Sequence, residues 1–367
     1  MTVSPDFDFA SVIKEAMRQA KENCGHINVL IVGNTGVGKS TLINAVFQGD
    51  LASTGQGRPI SQNVEEITKE GIPLSIFDTR GLENKDYRKI LAELEAEIDK
   101  RGRRPDPKQH IHIAWVCILE DSRRVQSAEE DLVALLTKLN IPTIAVITKA
   151  RADDGFRDIV VEILPDAKDV IRVQAKEERL DNGSTNPIHG LQELVDKTIQ
   201  FVPEAHQNAF IAAQRVDINL KKKKSRRTVM VAAASAAGIG FAPVPFADAV
   251  GIIPIQVGML ASISATFGLS VNAGSLTTLL GAIFAGAGGP LAGKTLVANL
   301  VKMFPVVGTI AGGAISGPTA GALTAVLGEA YIAVIARLLQ QNEGELPTFN
   351  EVAEAFKKEY WQRAAAA

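Results

Sequence analysis

The chain has 367 residues, of which 46% are apolar and 22% charged, with a formal net charge of −2. That length allows about two or three domains, and the near-neutral balance excludes a generally nucleic-acid-binding surface, so no nucleic-acid partner is expected. Two cysteines, Cys24 and Cys117, lack metal-ligand spacing and fit a reducing compartment. No secretory signal opens the sequence: residues 1–26 mix charged and apolar residues as an amphipathic helix does, and the expected location is cytoplasmic.

The first strand candidate, residues 27–32, is β-branched and apolar, as a buried parallel strand should be. GNTGVGKST follows, with Gly33, Gly38, Lys39 and Ser40 on the defining positions of G-x-x-x-x-G-K-[ST]. Glycines let such a loop turn its backbone N–H groups toward a phosphate, and the helix expected over 39–48 adds its positive N-terminal end. Asn34, Thr35, Gly36, Val37, Gly38, Lys39, Ser40 and Thr41 therefore form the expected phosphate-binding set. Lys39 reaches the outer phosphates in this arrangement, and Ser40 offers its hydroxyl to Mg²⁺.

Strand candidates at 64–70 and 72–78 lead into DTRG, 45 residues beyond Gly33. An acidic residue at a strand end, followed by glycine, suits a metal-linked aspartate and a γ-phosphate sensor, here Asp78 and the N–H of Gly81. QGRPISQNVEE, between the two signals, reads as a mobile loop because of Gly55 and Gly57 on its flank and within it. Further strands are expected near 111–119, 141–147 and 169–174, and helices near 84–101, 127–139, 155–164 and 189–200. Strands alternating with helices make this part of the chain α/β with a mostly parallel sheet. In HIHIAWVCIL, strand alternation sets His110 and His112 on one face, but without a third ligand they read as a satisfied or solvent-facing pair rather than a metal site.

With these motifs the chain resembles translation-factor-like P-loop GTPases, in the neighbourhood of Era, septins and immunity-related GTPases. The resemblance implies a Ras-like domain, a mostly parallel six-stranded sheet flanked by helices, that binds GTP and GDP with Mg²⁺. It also implies that Ser61, in Pro59-Ile60-Ser61, stands where the family carries a threonine that closes on Mg²⁺, so that Ser40, Ser61 and Asp78 form the metal set. Base recognition departs from the family. Thr148 and Lys149 match [NT]-K-x-D, but Arg151 occupies the aspartate position, and arginine only donates. Either Asp153 or Asp154 reaches back to the base, or guanine selectivity is weaker. Gln174, Ala175 and Lys176 resemble the last family motif, with the backbone of Ala175 and Lys176 facing the base carbonyl.

The glutamine that positions water in the best-known GTPases is replaced by Leu82, and Gly36 removes the asparagine through which some relatives bind K⁺. A slow intrinsic GTPase is therefore expected, completed in trans across a homodimer or higher oligomer. Arg80, Arg123 and Arg124 are the candidate donors, and the catalytic set is Lys39, Ser61, Arg80 and Gly81.

Composition changes near residue 228. From Val229 to Ala336 only Asp248, Lys294, Lys302 and Glu329 are charged, and 17 of the 31 glycines lie there. KKKKSRR, Lys221 to Arg227, marks the junction as a basic run that a globular core should not take in. The expected organisation is an N-terminal helix (1–26), a G domain (27–203), a basic helical linker (204–228), a hydrophobic all-α domain (229–340) and a C-terminal amphipathic helix (341–367). FAPVPFADAVGIIPIQVGMLASISATFGL resembles the hydrophobic helical domain of unknown function that follows the G domain in certain bacterial and fungal GTPases. Between Asp248 and Lys294, 45 uncharged residues could hold two membrane helices beside a basic run suited to an anionic leaflet, although Pro254 and Pro290 interrupt them. A helical bundle, peripheral or soluble, is the preferred reading, because small apolar helices also pack well on each other. A nucleotide-binding pseudo-enzyme and a nucleotide-regulated membrane scaffold stand as alternatives to the GTPase. In the last helix, Phe349, Val352, Phe356 and Tyr360 fall near one face.

Overall fold

A computed structural model describes residues 9–54, 56–59, 64–79, 87–181, 183–239, 247–269, 276, 320–342 and 344–364. The chain divides into two compact units, Gly25–Asp217 on the one hand and Met1–Cys24 with Ile218–Ala367 on the other.

The first unit is built on a sheet whose strands are β1 (Ile27–Gly33), β2 (Gln56–Pro59), β3 (Val64–Thr68), β4 (Leu74–Thr79), β5 (Ile113–Leu119), β6 (Thr143–Thr148) and β7 (Asp169–Val173). Their order is β2-β3-β4-β1-β5-β6-β7. From β4 to β7 all neighbours are parallel, whereas β3 runs antiparallel to β4 and β2 antiparallel to β3. Six of these are the expected strands. The seventh, β2, lies in the segment read from sequence as a mobile loop: its four residues pair from Gln56↔Thr68 to Pro59↔Glu65, with Pro59 at an edge where its missing N–H is tolerated.

Every residue of β1 is buried, because helices cover both faces of the sheet. On one face Val29, Ile31, Trp115 and Val146 pack with residues of the Lys39–Val46, Leu191–Phe201 and Glu204–Ala213 helices. Phe47 stacks on Trp115 at 5.5 Å between ring centroids, and the indole N–H donates to Thr198 Oγ1 at 3.2 Å. On the other face Leu30, Val32, Val116 and Ile147 meet residues of the Tyr87–Gly102, Ser127–Lys138 and Phe156–Ile163 helices. Alternation along each strand thus feeds two cores and leaves the carboxyl ends of the parallel strands open, where open α/β sheets bind ligands.

The histidine pair is not on the strand as expected. Strand β5 starts at Ile113; His110 closes a short 3₁₀ turn over Pro107–Gln109. Both His112 nitrogens are engaged: Nδ1 accepts from the N–H of Asn28 at 2.9 Å and Nε2 donates to the carbonyl of Pro107 at 2.9 Å. Burial pushes this imidazole down to about 4, so it stays neutral and serves the turn.

In the second unit the helices Phe9–Cys24, Ile218–Ile239, Ala247–Phe267, Ala320–Gln341 and Phe349–Ala364 share one core. Ile13, Val229, Leu260, Ile263, Phe267, Tyr331 and Ile335 are buried in it. Phe349, Val352 and Phe356 join them as the C-terminal pattern predicts, while the Tyr360 side chain lies outside the described residues. The helices approach closely at Gly321, where a Cβ would stand 2.7 Å from the carbonyl oxygen of Ala233.

Two expectations for this unit fail. The basic run does enter a core: Lys221 and Ser225 are fully buried on one side of the Ile218–Ile239 helix, with Lys221 Nζ donating to the carbonyl of Phe267 at 3.2 Å. A four-residue spacing sets these two on one helical stripe, and the aliphatic stem of lysine packs as an apolar group. Pro254 does not break its segment either, because the Ala247–Phe267 helix continues through it. The buried row Val257, Leu260, Ala261, Ser264 outweighs a cost of about 3 kcal/mol for a proline inside a helix. Among the described residues no helix is long and apolar enough to cross a membrane. Pro290 and most of the uncharged run beyond Leu269 lie outside them.

Candidate functional site

Strand β1 delivers the chain into the glycine loop, and the turn closes through a bond from the N–H of Val37 to the carbonyl of Asn34 at 3.3 Å. Gly38 caps the Lys39–Val46 helix at φ 106°, a backbone setting that side-chain-bearing residues avoid. The N–H groups of the first helical turn are thereby left for a ligand.

Lys39 folds back over this loop. Its Nζ donates to the carbonyls of Gly33 at 2.7 Å and Asn34 at 3.2 Å and lies 3.9 Å from Asp78 Oδ1. Parallel pairing of β1 with β4, which sets Ile31 beside Asp78, brings the aspartate to the same end of the sheet. Val37 is buried, whereas Thr35, Gly36, Ser40 and Thr41 are exposed. The Oδ1 of Asn34 is buried in the loop without a hydrogen-bond partner among the described residues. A hard cation such as Mg²⁺ fits this donor set, because the Ser40 hydroxyl and the Asp78 carboxylate supply oxygen and an orphaned loop oxygen awaits a donor such as metal-bound water. Ser61, Arg80, Gly81 and Leu82 lie outside the described residues.

The base-recognition candidates converge on the same loop from β6 and β7. Thr148 is buried at the end of β6 and its Oγ1 is 2.7 Å from the carbonyl of Val37 and 3.2 Å from that of Ile118. Lys149 Nζ donates to the carbonyl of Gly36 at 2.8 Å. Beyond β7, Gln174 is buried and donates through Nε2 to the carbonyl of Lys176 at 2.8 Å, which shapes the turn carrying Ala175 and Lys176. Gly38, Thr41, Thr148, Lys149, Ala175 and Lys176 line one pocket of about 400 Å³, so two motifs far apart in sequence share a cavity with the phosphate loop.

Arg151 turns away from a base-reading role and pairs with Glu178, Nε to Oε2 at 2.8 Å with a second contact between its terminal nitrogen and Oε1, and lies 3.2 Å from Asp121. This pairing holds the Glu178 carboxyl below its ordinary range. Neither displaced aspartate is among the pocket's walls. Asp153 accepts from the N–H of Arg157 at 2.9 Å at the start of a helix, and Asp154 lies 3.3 Å from Arg123. Arg123 also donates to the carbonyls of Ala152 and Asp153.

Two residues that the motifs do not single out organise this end. Glu120 is buried just beyond β5, takes the backbone N–H groups of Arg151 and Ala152, and pairs with Arg172 at 2.6 Å. Glu178 itself is a wall of the pocket. A buried-strand run ending in an acid signals Glu120, whereas no local pattern signals Glu178.

Comparison with known proteins agrees with this geometry. A family profile described as 50S ribosome-binding GTPase matches residues 28–149, and one described as a domain of unknown function, DUF697, matches residues 206–360. The tRNA modification GTPase MnmE of Burkholderia cenocepacia is 30% identical over 125 residues, which cover 34% of this chain and 25% of that protein. Septin-9 of Rattus norvegicus is 27% identical over 169 residues, 38% of this chain and 29% of the septin. The chain thus spans about a quarter of the length of these relatives. A solved structure of Aquifex aeolicus Era bound to GDP and AlF4⁻ is similar with a TM-score of 0.31 and 18% identity, over 56% of this chain and 67% of that one. The class defined by the loop, the sheet and the profile is the P-loop GTPases. In this chain a GTP-binding domain of that class is followed by a helical domain of unknown function.

Proposed function

We propose that the chain hydrolyses GTP to GDP and phosphate with Mg²⁺, slowly as an isolated subunit and faster when two G domains meet across their nucleotides. One observation supports the reading: Gly38 of the glycine loop, Thr41 of the helix after it and residues from the ends of β6 and β7 wall a single pocket, and Lys39, the neighbour of Gly38, lies 3.9 Å from Asp78. Lys39 leaves its loop carbonyls for the outer phosphates, the loop N–H groups hold the phosphate chain, and Thr148 keeps the base side in register. Ser40, Asp78 and Ser61 would hold Mg²⁺, which would supply charge neutralisation to the phosphates. Leu82 and Gly36 stand where relatives carry a water-positioning glutamine and a potassium-binding asparagine, which motivates activation by a neighbouring copy.

The helical unit is proposed to gather copies at an anionic membrane surface. Its Ile218–Ile239 helix carries exposed Lys223, Arg226 and Arg227, and one turn further on Met230 and Val231 are 66% and 69% exposed. Cations beside exposed apolar side chains suit the headgroup boundary. The test uses the full chain: fluorescent GTP and GDP titrated with and without Mg²⁺, phosphate release over time, and flotation with vesicles of neutral or anionic lipid. Absence of saturable guanine-nucleotide binding sinks the reading. Binding without phosphate release at any protein concentration would make the chain a nucleotide-binding pseudo-enzyme, and indifference to anionic lipid would remove the membrane role.

A further inference from the structure

A second cavity lies at the opposite end of the sheet. Its walls include His26 just ahead of β1, Asn28 within β1 and Ser75 near the start of β4, whereas the glycine loop leaves from the far end of β1. Seven strand residues at about 3.3 Å each separate the two pockets by roughly 20 Å. The cavity holds about 420 Å³, and every residue that lines it is polar or charged. That size admits a small molecule, and such walls exclude an apolar one.

Its charge favours an anion. Lys100, Arg101, Arg104 and Lys108 line it against Glu66 and Glu97, an excess of two positive charges. Both carboxylates are engaged: Arg101 lies 2.9 Å from Glu97 and 3.3 Å from Glu66, and Lys100 lies 3.6 Å from Glu97. Arg104 donates instead to the neutral amide oxygen of Gln109, and neither Arg104 nor Lys108 pairs with a carboxylate among the described residues.

The turn that carries these two cations is braced from beneath. The carbonyl of Arg104 accepts from His110 Nε2 at 2.9 Å and that of Pro107 from His112 Nε2 at 2.9 Å. The amide of buried Asn28 donates to the carbonyls of Lys108 and His110 at 2.9 and 2.6 Å. Two exposed cations are thus fixed at their backbone by groups packed behind them, which lowers the ordering cost of holding an anion.

We propose that this cavity is a ligand site separate from the nucleotide pocket, and that it takes a small phosphorylated molecule whose phosphate is held by Arg104 and Lys108. Arginine supplies a planar fork and lysine a point charge, two common ways of binding phosphate. Ser75 and Gln109 offer neutral polar groups to the rest of the molecule.

The test follows the imidazole signals of the full chain by NMR as inorganic phosphate, glucose 6-phosphate or glucose is added. Excess GDP is present, and pH and ionic strength are held constant so that general screening does not change. His26, 2.9 Å from Ser75, reports on this cavity, and its signal is assigned by its loss in His26→Gln. His189, 3.3 Å from the carbonyl of Ala150, reports on the nucleotide end. At least one of the two phosphate compounds should shift His26 saturably and leave His189 unmoved, and glucose should move neither. The half-saturating concentration should rise about tenfold in Arg104→Ala or Lys108→Ala, as for loss of a hydrogen bond to a charged group. Both substitutions are at exposed side chains and leave the buried braces in place. No saturable shift of His26 with either phosphate compound, an equal response to glucose, a shift confined to His189, or an unaltered response in both variants overturns the proposal.

Discussion

The Thr148 hydroxyl donates to the carbonyl of Val37 across 111 residues of sequence, at 2.7 Å and out of contact with water. It is the fastening between the end of β6 and the glycine loop. Both oxygens within its reach, those of Val37 and Ile118, are backbone carbonyls.

Thr148→Val keeps the shape and removes the donor. A buried acceptor left unsatisfied costs about 1–3 kcal/mol, so the melting temperature of the G domain should fall by several degrees. The rise in melting temperature produced by GDP should shrink as well, because the two halves of the pocket lose their register. Thermal unfolding with and without GDP reads both effects; an unchanged GDP-induced rise would mean that the fastening is structural only.

Lys39→Ala should act differently. In the absence of ligand Lys39 serves the loop carbonyls of Gly33 and Asn34, which can turn to water when the side chain is removed. Stability should therefore change little, while nucleotide affinity falls by at least about tenfold to a hundredfold through loss of a charge-assisted contact. Equilibrium titration with a fluorescent GDP checks this, and retention of parental affinity would contradict the phosphate-loop assignment.

The contrast between these residues shows what the sequence could reveal. Loop, strand and helix around Lys39 are consecutive, so local pattern was enough to read them. The remaining strands and their mostly parallel arrangement followed from alternation with helices, but their order in the sheet did not. Edge strand β2 was hidden because four residues with glycine and proline carry no strand signal, and only pairing with β3 makes them one. Arg151 and Glu178 are 27 residues apart, and nothing local marks the acid as the partner of the misplaced arginine. The 221–227 run misled for a related reason. Its charge density is that of a solvated segment, yet one lysine in four faces inward once the segment becomes a helix with a buried stripe.

That lysine gives a pH-dependent prediction. Burial pushes Lys221 down to about 7, from an ordinary value near 10.4 in an unfolded chain. Between those values the unfolded chain holds a proton that the folded chain has released, so this group makes stability rise with pH. Below about pH 7 it is charged in both states and the burial penalty, on the order of a few kcal/mol, is fully present. Lys221→Met should therefore stabilise the helical unit at pH 6, and the gain should fade toward pH 10. Cys24 is pushed up to about 11 by its own burial and opposes this trend at high pH, which is why the measured quantity is the difference between parent and variant. Chemical denaturation of both at pH 6, 8 and 9.5 decides it; a difference constant with pH would show that Lys221 keeps its ordinary titration.

The last prediction concerns how hydrolysis is accelerated. Leu82 cannot orient water, so an isolated subunit should turn over near the unassisted rates of about 10⁻⁴ to 10⁻² s⁻¹. If a second copy completes the site, phosphate release per subunit should rise with concentration, and anionic vesicles should raise it further by gathering copies on the basic face of the Ile218–Ile239 helix. The three candidate arginines are no longer equivalent. Arg123 is held by the carbonyls of Ala152 and Asp153 and faces the Phe156 ring at 5.8 Å, so it braces the base loop of its own subunit. Its replacement by alanine should lower stability at every protein concentration and leave the fold-increase on assembly intact. Arg80 follows Asp78 by two residues, next to the γ-phosphate sensor, and is the better donor in trans. Arg80→Ala should abolish most of the concentration-dependent acceleration, about 10³-fold or more for an arginine acting on transition-state charge, without changing nucleotide affinity much. Mixing Arg80→Ala with a Lys39→Ala subunit separates the cases. A donor acting across the interface restores activity in the mixed dimer, because the nucleotide-free subunit lends its arginine to the partner. An arginine acting within its own subunit leaves the mixture as slow as either variant alone.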